Sequence, residues 1–302
     1  MKHAPIIITA AAQPRSASAI VHQWAARLKA ARSGIVAAAL LLFCGGIAWS
    51  VSQLAIDWSD LRWLDLALAF ALLTPALWLN ALELQLCARA TSNSLTLSQA
   101  LAYSCSATLA NLLPLPGGAL VRGAALMKAG ASLRDTGGIV FAAALLWLAL
   151  AAAISALAIS RSPAGIALAA AGLIGAAATL IWVWRRSGAG IACGFLAVRL
   201  MLLGLMIGRL SYCFGAIGAE VSLGDAAAYT VASVLGSAAG IVPAGLGVAE
   251  AIGAMLATLA SASPAEAFLS LGLNRVIGLI GTALVVLCLI PRPSSPASKA
   301  VG

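Results

Sequence analysis

Apolar residues fill this chain in blocks about as long as a bilayer is thick. Six of them, at 33–53, 64–88, 136–159, 163–184, 190–216 and 265–290, hold the mostly apolar residues, about 20 in number, that a membrane-spanning helix needs. Two further apolar stretches are interrupted. The first, 96–130, runs through Leu97–Leu113 and breaks at Pro114-Leu115-Pro116-Gly117-Gly118. The second, 224–261, runs through Asp225–Val242 and breaks at Pro243-Ala244-Gly245-Leu246-Gly247. Each break is followed by a shorter helical stretch with one charge near its start, Arg122 in the first and Glu250 in the second. A bilayer core offers no water to a broken backbone ladder, so non-helical backbone survives there only where protein buries it or a wet cavity borders it. The pattern predicts an all-α, polytopic membrane helical bundle with six full spans and two re-entrant helix pairs. A matched pair of breaks is also the best sequence pointer to a transporter-type binding site.

Charge sets the expected orientation. With each broken pair entering and leaving on one side and the N-terminus inside, 13 of the 18 lysines and arginines fall on the cytoplasmic side, and only Arg62 and Arg161 fall outside. The net charge of +9 thus follows from topology and not from nucleic-acid binding. In this arrangement the first broken pair enters from the cytoplasm and the second from outside. The units at about 64–159 and 190–290 then become inverted repeats. Leu97-Ser-Gln-Ala-Leu-Ala-Tyr103 resembles Leu223-Gly-Asp-Ala-Ala-Ala-Tyr229, Pro114 answers Pro243, and Ser132 answers Ser263. Chance matching in an alanine-rich chain is the competing reading.

Composition narrows the classes further. The chain is 62% hydrophobic and 9% charged, against about 25% charged in soluble domains. No segment is long and polar enough for a separate soluble catalytic domain. The six cysteines lie in apolar helices without a CxxC pair and read as packing residues. The two histidines, His3 and His22, lie in the N-terminal stretch, which leaves no histidine-based metal or proton-relay site. Residues 1–32 read as a basic cytoplasmic tail, either disordered or with a surface helix around 20–30, and 291–302 as a cytoplasmic C-terminal tail. Trp49, Trp58, Trp63, Trp182 and Trp184 fall near span ends, as interfacial anchors do. Gly204 and Gly208 form a GxxxG match that carries little weight among 29 glycines.

Asn111-Leu-Leu-Pro114 with Gly117-Gly118 and Arg122 resembles one signature of the lysylphosphatidylglycerol synthase transmembrane (flippase-like) family. Pro243-Ala-Gly245-Leu-Gly247-Val-Ala-Glu250, followed by Arg275, resembles the other. The resemblance covers 33–290 and concerns the transmembrane part alone. It implies a flippase of the bacterial inner membrane, without a cofactor. The chain departs from the family at Ala119, where many members carry an acid, and at Phe141–Trp147, which has no charge where many carry a Glu-Arg pair.

The residues themselves point to anion binding. A helix that restarts after a break offers free N–H groups and a favourable dipole, and Gly117, Gly118, Gly245 and Gly247 allow close approach. Arg199, Arg209 and Arg275 lie within spans, where a charge costs at least ~2.5–3.5 kcal/mol at mid-membrane. Arg275, preceded by Asn274, either binds a lipid phosphate or pairs with Glu250. Arg209 and Arg199 read as successive stations for an anionic head group, and Arg209 alternatively snorkels. Glu83 with Asn80 falls near the inner end of its span. Arg122 is expected either at the cytoplasmic interface or paired with Glu250 across the repeat axis. The functional expectation is a lipid flippase or transporter, its substrate a membrane lipid with a polar or anionic head group. The alternative is a non-transporting partner of a lipid or glycan biosynthetic enzyme. A membrane enzyme ranks third, because the usual catalytic constellations are missing.

Overall fold

The computed structural model describes residues 17–57, 59–112, 116–159, 162–238, 242 and 245–289, with side chains from Gly34 onward except Ile35 and Leu289. Pro114, Pro243, Arg161, Trp58 and most of both tails therefore lie outside the described residues. The described chain is helical, without strands. Six helical segments are long and apolar enough to cross a membrane: Val36–Leu54, Trp63–Ala90, Leu133–Ile159, Pro163–Ser187, Ala189–Ala216 and Pro264–Cys288. Each lies within a few residues of a block read from the sequence.

The first span belongs to a longer helix, α1 (Ala17–Leu54). Much of the stretch expected as a tail is therefore helical. Its alanines favour helix, and extending an existing helix avoids the cost of nucleation. The second span is two helices, α2 (Trp63–Ala71) and α3 (Leu73–Ala90), meeting at Leu72. Pro75 accounts for the joint, since it cannot donate to the carbonyl of Ala71 and its ring crowds that carbonyl. The remaining spans are α6 (Leu133–Ile159), α7 (Pro163–Ser187), α8 (Ala189–Ala216) and α12 (Pro264–Leu289).

Both interrupted stretches fold as helical hairpins. The first pairs α4 (Leu97–Ala110) with α5 (Gly117–Lys128). The second comprises α9 (Leu223–Ala228), α10 (Thr230–Ala238) and α11 (Val248–Leu256), with α10 packed on α11. The 14 residues of α4 extend only about 21 Å, short of the ~30 Å hydrocarbon core. The kink between α9 and α10 has a clear cause. Ser155 of α6 inserts its hydroxyl into the ladder, donating to the Ala227 carbonyl at 3.1 Å and accepting from the Val231 N–H at 3.1 Å.

Four helix starts are capped alike. Thr96 with Gln99 opens α4, and Ser222 with Asp225 opens α9, each as a complete capping box. Ser132 accepts from the Asp135 N–H at 3.1 Å ahead of α6, and Ser263 accepts from the Glu266 N–H at 3.2 Å ahead of α12. The Ser222 hydroxyl holds the Asp225 carboxyl below its usual range. That cap therefore keeps its full strength above the ordinary aspartate pKa and loses it as pH falls through the lowered value.

Contacts at the helix ends fix which ends lie together. Ser187 at the end of α7 donates to the Ala90 carbonyl of α3 at 3.2 Å, and Arg186 pairs with Asp135 of α6. Gln85 of α3 holds the Leu95 carbonyl at the mouth of the first hairpin at 2.9 Å. The mouth of the second hairpin sits instead at the C-terminal end of α6, on Ser155. The interior packs tightly around α3, α4, α6 and α8. Large apolar side chains such as Leu41, Ile174 and Leu287 point outward. In water such a surface would aggregate, whereas in lipid it faces its own solvent. Trp49, Trp63, Trp182 and Trp184 are exposed near helix ends, with Arg186 stacked 5.5 Å from the Trp182 ring.

Gly245 closes the second hairpin. Its φ is +65°, and a Cβ there would strike the backbone carbonyl of Gly236 on α10. Gly245→Ala is therefore expected to lower stability by about 1–3 kcal/mol through strain and overlap. Gly204 has open space around its Cβ position. Gly204→Ala should leave stability unchanged or raise it by up to about 1 kcal/mol. Thermal unfolding of both variants in detergent distinguishes these outcomes.

Candidate functional site

The tip of the first hairpin and the end of α10 in the second border one cavity. It has a volume of about 530 Å³ and lies between α3, α4, α5, α6, α8, α10 and α12. The end of α4 and start of α5 form one wall, and Val234, Ser237 and Ala238 at the end of α10 form another. Three arginines line it: Arg122, Arg199 and Arg209. Asn80, Asn111 and Asn274 add amides. The cavity also has a side wall of Phe141 and Leu145, near the middle of the 27-residue α6. These two are 68% and 39% exposed, so the cavity meets the outer surface of the bundle there.

Asn111 keeps the first break satisfied. It caps the C-terminus of α4, and its Oδ1 accepts from the Gly118 N–H at 2.7 Å. The residue at which one helix ends thus holds the start of the next through its side chain. A Cβ on Gly118 would sit 2.6 Å from that oxygen, and one on Gly117 would strike the Ala110 carbonyl. These two glycines let the arms of the hairpin meet. The Gly118 N–H expected to face a ligand is already used, although Gly118 itself borders the cavity.

Arg199 is the most enclosed of the arginines, 4% exposed on α8. It pairs with Glu83 of α3, which is 2% exposed, and donates to the Ala143 carbonyl of α6 at 2.9 Å. Its guanidinium carbon lies 4.9 Å from the centre of the Trp147 ring. Glu83 Oε2 and Arg199 Nε are buried without a partner. A separate void of about 10 Å³ lies between Glu83, Cys87 and Arg122, about the size that admits one water. Arg122 makes a long contact, 3.5 Å, to Asn80 Oδ1. Asn80 is held in turn by donating to Ala76 at 2.8 Å and accepting from Ser104 at 3.1 Å.

Arg209 points inward rather than snorkelling. Its Nη2 donates to the Asn274 carbonyl of α12 at 2.9 Å, while its Nε and Asn274 Oδ1 are buried without partners. Glu250, fully buried, accepts from Arg275 Nε at 2.7 Å. Of the two readings for Arg275, the ion pair with Glu250 is the one found, and neither residue lines the cavity. The alternative pairing of Glu250 with Arg122 does not form, since Arg122 turns to Asn80. Gly245 and Gly247 also lie away from the cavity wall.

Of the residues singled out from sequence, Asn111, Gly118, Arg122, Arg199, Arg209 and Asn274 meet at the cavity. Gly117, Gly245, Gly247, Glu250 and Arg275 support its frame. Sequence reasoning misses Trp147 and Ser237, and it places Asn80 and Glu83 only as a pair near a span end. Trp147 carries a usable signal. It sits mid-span, as Trp78 also does, whereas Trp49, Trp63, Trp182 and Trp184 lie near helix ends. Comparison with protein-family models finds none that matches this sequence, and comparison with curated proteins finds no match either.

The pair of Glu83 and Arg199 makes a specific demand on stability. Removing one member leaves the other buried without its partner, at a cost of ~3–5 kcal/mol, whereas replacing both with apolar side chains is often neutral. Glu83→Ala and Arg199→Met are each expected to destabilise by that amount. The double variant Glu83→Met, Arg199→Met should recover most of the loss, as read from detergent unfolding curves. Simple additivity of the two losses would show that the pair is not coupled.

Proposed function

We propose that this chain is a lipid flippase or transporter of the bacterial inner membrane that moves a lipid with an anionic head group. One observation carries the reading. A cavity lined by three arginines lies where two broken helices meet, and its side wall of Phe141 and Leu145 reaches the outside of a spanning helix near its middle. A head group held by arginine with acyl chains leaving past phenylalanine and leucine fits that shape. A freely soluble ion has no need of an apolar mouth at membrane depth.

Internal symmetry supports the same reading. The hairpin mouths lie at opposite ends of α6 and its neighbours. Each unit has a capped hairpin start, a tyrosine seven residues after the cap (Tyr103 and Tyr229), and a capped exit span. The first arm of each hairpin packs on the last span of the other unit, α4 on α12 and α10 on α6. Inverted repeats of re-entrant hairpins, with both termini cytoplasmic, account for all of this. Alternating exposure of a site between such repeats is a recurrent transport device.

Two measurements test the proposal. In proteoliposomes, tail-labelled anionic lipid should cross the bilayer faster with the protein than without it. Arg122→Gln should slow that movement about tenfold or more, as expected for a lost charge-assisted contact. No protein-dependent movement of any lipid, from folded protein, would leave the anchoring role in a biosynthetic complex. For topology, a membrane-impermeant thiol reagent should label Glu220→Cys and spare Arg89→Cys in intact cells, in a cysteine-free background. Equal labelling would overturn the inverted arrangement.

A further inference from the structure

The charge balance of the cavity specifies more than an anion. The chain has nine acidic side chains, and every one lies among the described residues: Asp57, Asp60, Asp65, Glu83, Asp135, Glu220, Asp225, Glu250 and Glu266. Asp57 and Asp60 share a loop, and Asp65 pairs with Arg62. Asp135 is taken by Arg186 and Glu250 by Arg275. Asp225 and Glu266 cap helices, and Glu220 is exposed beside α8. Only Glu83 reaches a cavity arginine, and it is committed to Arg199.

Three guanidinium groups against one carboxylate leave two positive charges at the cavity. Arg122 touches an amide oxygen and Arg209 a backbone carbonyl, and neither neutralises a cation. Arginine does not shed its proton in proteins. The two charges lie well inside the bundle, where an uncompensated charge is costly. The buried Nε atoms of Arg199 and Arg209 remain without acceptors, and Arg199 and Arg209 stand ten residues, about 15 Å, apart along α8. The donors thus lie along the cavity rather than around one point.

We propose that the ligand is a lipid whose head group ends in a terminal phosphoryl group, a phosphomonoester or diphosphate. A terminal phosphoryl group carries about −1.5 to −2 at pH 7 and balances the two charges; the inner phosphate of a diphosphate adds one further negative charge, so the phosphomonoester is the closer match. A phosphodiester such as phosphatidylglycerol carries one and leaves one arginine uncompensated. A zwitterion adds a cation to a cavity that has no free carboxylate to meet it. The lipid source rests on the transporter reading above; the two-charge requirement rests on the count of carboxylates alone.

The test measures binding and movement together. Purified protein in proteoliposomes is offered tail-labelled phosphatidic acid, diacylglycerol diphosphate, phosphatidylglycerol and phosphatidylethanolamine. Affinity is read from thermal stabilisation and transport from transbilayer movement. The two terminal phosphates are expected to bind about tenfold or more tightly than the diester, the scale of one added charge-assisted contact. Arg209→Gln should shrink that preference severalfold or more. Arg186→Gln, which alters a charge outside the cavity, should leave the preference as it is. Equal or better binding of phosphatidylglycerol overturns the two-charge inference while leaving the transporter reading intact. Preferential binding of terminal phosphates without movement of any lipid upholds the inference and ends the transporter reading. Inorganic phosphate or pyrophosphate binding as tightly as phosphatidic acid overturns the lipid source.

Discussion

Unbalanced positive charge inside a low-dielectric bundle is the constraint on which this structure turns. Arg199 sits at the crossing of α3, α6 and α8 and is held by Glu83, the Ala143 carbonyl and the Trp147 ring. Those contacts use one part of the guanidinium and leave its Nε facing no acceptor. The spans are thereby joined around a cation that is only partly satisfied. The tip of the first hairpin and the end of α10 complete the enclosure. Arg122 arrives on α5 because Asn111 bridges the break between α4 and α5, so backbone satisfaction and site geometry come from the same residue.

The two breaks perform related tasks by different chemistry. The first is closed by a side-chain amide and by glycines that admit the opposing arm. The second relies on a left-handed Gly245 pressed against Gly236, and on a buried ion pair, Glu250 with Arg275, just behind the restart of the helix. Only the first presents a charge to the cavity. The two breaks therefore differ in chemistry within a frame whose caps, tyrosines and packing partners match between halves. The lack of charge in Phe141–Trp147 also takes on meaning in this light. That stretch supplies the cavity's apolar side and the ring beneath Arg199, and carboxylates there would cancel the cationic character of the site.

The spans are legible because about 20 consecutive apolar residues match the thickness of a bilayer and exceed what one buried helix of a soluble core needs. The breaks are legible because proline and glycine cannot continue a helix cheaply. The kink at Leu72 is equally written in Pro75 but lies inside an otherwise unbroken apolar block, where hydropathy conceals it. The partner of Arg275 is legible as one of two options, since a buried glutamate needs a cation. The partner of Arg199 is not. Glu83 counts as near the end of the 64–88 block, yet α3 runs on to Ala90 and Glu83 is buried on Arg199 of α8, a contact across space that linear counting cannot give. The roles of Gly245 and Gly247 in closing a hairpin, rather than lining a cavity, depend on which backbone faces them across space.

The central claim is that a lipid occupies this cavity with its head group at the arginines and its chains past α6. Site-specific photocrosslinking from Phe141, compared with Ile174 on the outer surface, tests it most directly. Phe141 borders the cavity, whereas Ile174 is exposed on α7 and does not. A photoreactive residue at Phe141 should capture lipid in membranes, and the capture should fall when Arg122 and Arg209 are both changed to glutamine. Capture at Ile174 should be indifferent to those changes. Identical behaviour at the two positions would mean that Phe141 samples bulk lipid only, and the cavity would lose its claim to be the path.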